Sequence, residues 1–81
     1  MTPAEFEFKF TVAYNIFKEK HGEPAHIFVS TAIKKALLEN GTFYTDPNGY
    51  TKYRDFIIGW YSSLDNSFEL ASNSVSSIMK F

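Results

Sequence analysis

The fold prediction rests on one aromatic-rich stretch, Tyr53-Arg54-Asp55-Phe56-Ile57-Ile58-Gly59-Trp60-Tyr61-Ser62-Ser63-Leu64. At about 100° per residue, its largest apolar side chains fall on one helical face, namely Tyr53, Phe56, Ile57, Trp60, Tyr61 and Leu64. The opposite face then carries Asp55, Gly59 and Ser62. The pattern predicts a core-facing helix over residues 51–64 with Trp60 inside the core. On this interpretation, Trp60→Ala would cost about 3–5 kcal/mol of stability.

The composition is typical of one small globular domain, residues 1–81, that is stabilised by packing alone. The chain has no Cys, and 44% of its residues are hydrophobic and 19% aromatic. Disulfides and thiolate metal sites are therefore excluded. The net charge of −1 comes from eight basic and nine acidic residues, so neither a strongly basic nucleic-acid binder nor an acidic mimic is indicated.

The first residues carry no basic segment followed by an apolar run, which argues against a secretory signal. No stretch approaches the length of a membrane-spanning helix. We therefore expect a cytoplasmic protein with no membrane partner. The excess of Lys over Arg, with many Asn, Phe, Tyr and Ile residues, is typical of an AT-rich genome and favours a phage or mobile element as the source.

The N-terminal segment carries the signals of a helix start. Thr2 and Glu5 form a capping box around Pro3, and a Gly at position 22 is a helix stop. These signals predict a helix over residues 3–21. A competing interpretation exists, because residues 5–12 alternate polar and apolar side chains as a half-buried strand does.

The next segment begins at Glu23-Pro24 and ends at Asn40-Gly41, which predicts a second helix over residues 24–40. Ser30 is an alternative cap, and its use would leave residues 26–29 extended. The part from Thr31 to Glu39 is helical in either case. After it, Asp46-Pro47-Asn48-Gly49 has the residues of a tight turn, which predicts a short β-hairpin or an ordered turn over residues 42–51.

The last segment, after a break at Asp65-Asn66-Ser67, predicts a fourth helix over residues 67–79. Asn66 and Glu69 resemble a capping pair. The expected apolar face of this helix consists of Phe68, Ala71, Val75, Ile78 and Met79. The fold prediction is therefore a mainly α, compact four-helix domain, a small helical protein with a hairpin or turn between its second and third helices. The alternative is an α+β fold in which Phe6–Tyr14 forms a strand beside the hairpin.

The sequence shows no catalytic, cofactor or metal motif. The two His residues, His21 and His26, flank a Gly-Pro break and lack the further ligands that zinc requires. Nucleophilic catalysis needs a base beside an activated hydroxyl or thiol, and the Ser-rich segment from residue 62 to 77 contains no such arrangement. We therefore expect a protein that is not an enzyme and that needs no cofactor.

The turn region is the best candidate for a partner-binding surface. It combines aromatic and basic side chains, namely Tyr44, Tyr50, Lys52 and Arg54, with Tyr53 beside them. Tyr and Arg are common anchors of protein interfaces, and aromatic residues interleaved with basic ones also suit single-stranded nucleic acid. The ordinary alternative is that the Tyr rings only pack the turn onto the helices.

A second candidate surface consists of apolar residues that the predicted helices leave off their core faces, which are Phe8, Ile27, Leu38, Ile58, Leu70 and Phe81. Together these features favour a small non-enzymatic binding module that acts as an accessory factor or inhibitor through a protein–protein interface, with a homodimer allowed. The alternative function is weak nucleic-acid binding through Lys34, Lys35, Lys52 and Arg54.

Overall fold

A computed structural model describes residues 1–61 and 64–81. Within these residues the chain forms two helices, α1 (Pro3–His21) and α2 (Thr31–Glu39). They are accompanied by six strands, which are β1 (His26–Val29), β2 (Tyr44–Thr45), β3 (Thr51–Tyr53), β4 (Phe56–Trp60), β5 (Glu69–Ala71) and β6 (Ile78–Lys80). The fold is therefore α+β, and the prediction of a mainly α four-helix domain is wrong.

The six strands form one mixed sheet in the order β2-β3-β4-β1-β5-β6. The two central strands, β1 and β4, are parallel, and the other neighbours are antiparallel. The chain returns from β1 to its parallel neighbour through α2 and the β2–β3 hairpin. Parallel neighbours require such a long crossover, whereas antiparallel neighbours can be joined by tight turns.

Both helices cover the same face of this sheet. The apolar residues of α1 and α2 belong to one buried cluster with Ile27, Ile58 and Leu70, which are register partners on β1, β4 and β5. Phe6 lies at the centre of that cluster, with its ring edge-on to Phe43 and Tyr53 at centroid distances of 5.3 and 5.1 Å. The second face of the sheet is left without a helix in the part of the chain that the structure describes.

The predicted N-terminal helix is confirmed. Thr2 accepts a hydrogen bond from the Glu5 amide, and the Glu5 carboxylate accepts one from the Thr2 backbone, so the capping box is complete. Gly22 then ends the helix with φ of 82°. The alternative fold named the correct class, α+β, but its N-terminal strand over Phe6–Tyr14 is wrong, because this segment is helical.

The predicted helix over residues 24–40 is wrong in its first part. The Ser30 hydroxyl accepts a hydrogen bond from the Ile33 amide and begins α2, so the alternative cap is the one used. Residues 26–29 are consequently extended, as the central strand β1. The β-hairpin is also present, since Asp46 accepts hydrogen bonds from the amides of Asn48 and Tyr50 and closes the turn between β2 and β3.

The predicted helix over residues 51–64 is wrong. Its described part forms β3 and β4, joined by a tight turn at Arg54, whose φ is 53°. Apolar side chains on both sides of a short segment satisfy a helical period and a strand equally well, and the β-branched and aromatic residues favour a strand. Trp60 is 45% exposed and is not a core residue. Ser62 and Ser63, which were assigned to this helix, lie outside the described residues.

The predicted helix over residues 67–79 is also wrong, because the segment forms the antiparallel pair β5–β6. The connection between them is held by Ser72, whose amide donates to the Ser77 carbonyl and whose hydroxyl accepts from the Ser77 amide. Ser side chains that bond to nearby backbone compete with helix formation. Residues 72–77 therefore form a loop between two short strands.

Candidate functional site

The face of the sheet that no described helix covers carries a row of paired residues from one edge to the other, in which all but Ala71 are at least partly exposed. Paired residues of neighbouring strands point to the same face, and successive pairings link Tyr44, Lys52, Ile57, His26, Ala71 and Ile78. A second row on the same face links Gly59, Phe28, Glu69 and Lys80. We call these two rows, with the adjoining Tyr61, the open face.

Three aromatic rings occupy the middle of the open face. The Phe28 ring lies nearly parallel to the rings of His26 and Tyr61, at interplanar angles of 20° and 30° and centroid distances of 6.3 and 5.7 Å. Phe28 also covers its register partner Gly59, because a Cβ atom on Gly59 would lie 2.5 Å from the Phe28 ring. Gly59 is therefore required for this ring to lie down on the sheet.

Hydrogen bonds hold the two outer rings of this aromatic group. The Tyr61 hydroxyl donates to the Glu69 carboxylate, and this bond, reinforced by partial burial, raises the pKa of Tyr61 to about 12. A His26 ring nitrogen, Nε2, lies 3.3 Å from the Asn73 carbonyl oxygen. The rings consequently have fixed positions while their surfaces stay partly exposed.

The charges on the open face nearly cancel. Lys52 forms an ion pair with Asp46, at 3.7 Å between Nζ and Oδ2. Lys80 and Glu69 are register partners on β6 and β5. A surface of this kind attracts neither a strongly anionic nor a strongly cationic partner through long-range steering. Its centre is aromatic, and its two edges carry Tyr44 on one side and Ile78 with Lys80 on the other.

The structure brings together only part of the predicted turn-region site. Tyr44 and Lys52 are paired and lie on the open face. Tyr50 is 56% exposed and lies beside the Asp46 turn. Arg54 is separate, because its guanidinium lies over the rings of Tyr53 and Phe10, at 5.1 and 5.6 Å from their centroids, on the helical side of the sheet. The Tyr44 hydroxyl nevertheless donates to the Arg54 carbonyl.

Sequence reasoning missed the centre of the open face. The helices predicted over residues 24–40 and 51–64 include its central residues, which are His26, Phe28, Ile57 and Tyr61. A helical projection does not show which side chains would alternate between the two faces of a strand. The sequence signal that could have found His26 and Phe28 is the Ser30 cap, which leaves residues 26–29 extended. In the structure, Ile27 and Val29 are buried and the alternate residues His26 and Phe28 are half-buried. That alternation is the mark of a strand with one face in the core.

The apolar residues predicted to form a second surface do not form one. Ile27, Ile58 and Leu70 are buried in the core. Leu38 and Phe81 are partly buried and pack against the core. Phe8 alone of this set is highly exposed, at 73%, and it lies on the outer side of α1.

Among the described residues, no three His, Asp or Glu side chains converge to form a metal site. No helix in this part of the chain has the length and apolar character needed to cross a membrane. Comparisons of the chain with protein-family models, with curated proteins and with solved structures give no match.

Proposed function

We propose that this protein is a cytoplasmic, non-enzymatic binding module that acts as an accessory factor or inhibitor by contacting another protein through its open face. The observation that carries the proposal is the aromatic group of His26, Phe28 and Tyr61 on a sheet face that no described helix covers. Large, partly exposed apolar surfaces on a small protein are typical of interaction sites.

The arrangement of the open face fits a protein partner. Interfaces have an apolar core that is enriched in aromatic residues and a polar rim. Here the rings lie near the middle, and Tyr44 and Lys80 lie exposed toward the two edges. Since Phe28 is held against Gly59 and Tyr61 is bonded to Glu69, little side-chain entropy remains to be lost on binding, which favours affinity.

A photo-crosslinking experiment tests this proposal. A photoreactive phenylalanine analogue replaces Tyr44 on the open face, and a matched variant carries the same analogue at Lys35, an exposed position of α2. We expect irradiation in cells to give a discrete protein adduct at position 44 that is absent at position 35. Equal adducts at both positions, or none at position 44, would contradict the use of the open face.

Single-stranded nucleic acid is the second candidate partner, and one observation favours it. Three nearly parallel rings on a sheet are the kind of platform on which bases stack. The nearby Lys52 is already paired with Asp46, and Lys34 and Lys35 belong to α2, on the other side of the sheet. Few phosphates would be neutralised, so binding would be weak and salt-dependent, with a log–log slope of about −0.7 per contact.

Nuclease and protease treatment of the same crosslinked adducts separates the two partners. Fluorescence anisotropy with a labelled oligonucleotide at low and moderate salt gives an independent measurement. We expect weak binding that disappears at moderate salt. Tight binding that survives moderate salt would make nucleic acid the favoured partner of the open face, in place of a protein.

A further inference from the structure

Strand β6 is an edge of the sheet, and its outward backbone groups have no partner strand in the described part of the chain. Phe81 and Phe68 exchange two hydrogen bonds, and Ser72 donates to Ser77. Hydrogen-bonded pairs alternate along an antiparallel ladder, so Met79 is also bonded inward to β5. The N–H and C=O groups of Ile78 and Lys80 therefore point away from the sheet.

An apolar groove runs beside this edge. It has a volume of about 300 Å³, and its lining comes from α1 and from the residue after β6, namely Phe8, Lys9, Val12, Ala13 and Phe81. Phe8 and Val12 lie four residues apart on α1, which places them on one side of the helix. Both are exposed although they are apolar, so the outer side of α1 offers a surface that the fold itself does not use.

Two lysines beside the groove and the edge strand form no salt bridge among the described residues. The described residues form two salt bridges, which involve Lys18 and Lys52. Lys9, in the groove wall, and Lys80, on the edge strand, are exposed and take part in neither. The edge therefore combines unpaired backbone groups, an apolar groove and an exposed lysine, Lys80, that forms no salt bridge among the described residues.

We propose that β6 and this groove bind an extended segment of a partner protein, with apolar residues at alternate positions and acidic residues between them. The segment adds to β6 as a further strand, so its backbone bonds to Ile78 and Lys80. Side chains on one side of the segment enter the groove, and its acidic residues, which point to the other side, approach Lys80. In peptide recognition by strand addition, the backbone hydrogen bonds supply affinity and the pockets for alternate side chains supply specificity. This site shares Ile78 and Lys80 with the edge of the open face, but its groove lies on the helical side of the sheet.

Amide hydrogen exchange measured by NMR tests the pairing directly. The probes are synthetic peptides of about eight residues in which valine, leucine or phenylalanine alternates with glutamate. We expect a bound probe to slow exchange at the amides of Ile78 and Lys80. Exchange at Met79 and Phe81 serves as the internal control, because these amides are already bonded to β5.

Variants of the groove test the side-chain contacts. We expect Phe8→Ser to weaken probe binding about tenfold, because it removes an apolar wall of the groove. Ile16→Thr is the matched control, since Ile16 is an exposed apolar residue of α1 that does not line the groove. Lys80→Pro removes an outward N–H that the fold does not use, and we expect it to abolish probe binding while the melting temperature changes little.

The proposal is overturned if none of the probes slows exchange at Ile78 and Lys80, or if Phe8→Ser and Ile16→Thr bind alike. It is also overturned if these two amides become protected without a probe as protein concentration rises, because the occupant of the edge is then a second copy of this chain. Replacing glutamate by lysine in the probes should weaken binding, and unchanged affinity would contradict the role of Lys80. If no crosslink forms at position 44 but the probes still bind to β6, the proposed function of the open face is contradicted and the proposal for β6 is not.

Discussion

The two faces of the sheet are built from alternate residues of the same strands, yet their surroundings differ. On one face, Ile27, Ile58 and Leu70 are buried under both helices. On the other, the neighbouring Phe28 and Ile57 stay half-exposed. The core face fixes the strand register, because a slip by one residue would exchange the two faces. The aromatic residues of the open face are not needed for that register.

In this small protein, we expect stability to depend on the core face and the proposed binding to depend on the open face. The core face carries the ring contacts around Phe6. The open face carries rings that are held in place but not enclosed. A substitution on the core face should therefore reduce stability, and one on the open face should change binding at modest cost to the fold.

The largest expected effect separates two residues of α1. Phe6 is fully buried and Phe8 is 73% exposed, although they lie two positions apart on the same helix. We expect Phe6→Ala to cost about 3–5 kcal/mol in the free energy of unfolding, and Phe8→Ala to cost less than about 0.5 kcal/mol. Urea denaturation of both variants checks this, and similar losses would contradict the assignment of the buried side of α1.

A smaller effect is expected at Gly59. A Cβ atom there would overlap the Phe28 ring, so Gly59→Ala should cost about 1–3 kcal/mol, as overpacking does. Removing the ring relieves the overlap. The cost of Gly59→Ala should therefore be smaller in a Phe28→Ala background, and a double-mutant cycle measures this coupling. Additive effects would show that Phe28 does not lie over Gly59.

Trp60 should contribute less to stability than a buried aromatic residue does. Its ring is 45% exposed and lies 4.0 Å from the Lys34 ammonium group, a cation–π contact. We expect Trp60→Ala to cost about 1–2 kcal/mol, in place of the core value that the helical interpretation gave. Thermal melting of Trp60→Ala and Phe6→Ala checks that the first variant loses less stability than the second. Equal losses would indicate that Trp60 is a core residue.

The smallest effect concerns pH. The hydrogen bond from Tyr61 to Glu69 raises the pKa of Tyr61 from 10.0 to about 12, because it favours the neutral phenol. Its stabilising contribution is therefore fully present below pH 10 and is lost as the pH rises through about 12. The pKa values of Tyr14 and Tyr53 are also raised, by the hydrogen bond to Glu23 and by burial respectively. Absorbance titration of the parent should therefore be compared with that of Tyr61→Phe, which should lose a step near pH 12. If the same late step persists in that variant, the assignment is wrong.

The parts of the fold that were predictable from sequence are those fixed by hydrogen bonds between residues close together in the chain. The Thr2–Glu5 capping box predicted α1, and the turn at Asp46 predicted the hairpin. The strand β4 was not predictable in the same way, because its apolar residues serve two faces of a sheet and so satisfy a helical period. The turn at Arg54 added to the error, since a positive φ is unusual for a residue other than Gly, Asn or Asp.

The candidate site was predictable only at its edge. Tyr44 and Lys52 flank a recognisable turn, so they were found. His26 and Phe28 lie on a central strand, and they meet Ile57 and Gly59 only through the parallel pairing of β1 with β4. The partners in that pairing are about thirty residues apart, and no local pattern specifies such a contact. The long-range pairing of β1 with β4 therefore determines both the strand order at the centre of the sheet and which residues meet on the open face.

The central claim, that one face of the sheet is core and the other is free to bind, is tested most directly on two adjacent residues of β4. Ile58 is 3% exposed and belongs to the core cluster, whereas Ile57 lies in the row of the open face. Matched Ile58→Ser and Ile57→Ser variants are compared by urea denaturation and by crosslinking at position 44. We predict that Ile58→Ser loses several kcal/mol of stability, and that Ile57→Ser stays folded but gives a weaker crosslink. The reverse order of stabilities, or equal losses, would contradict the assignment of the two faces.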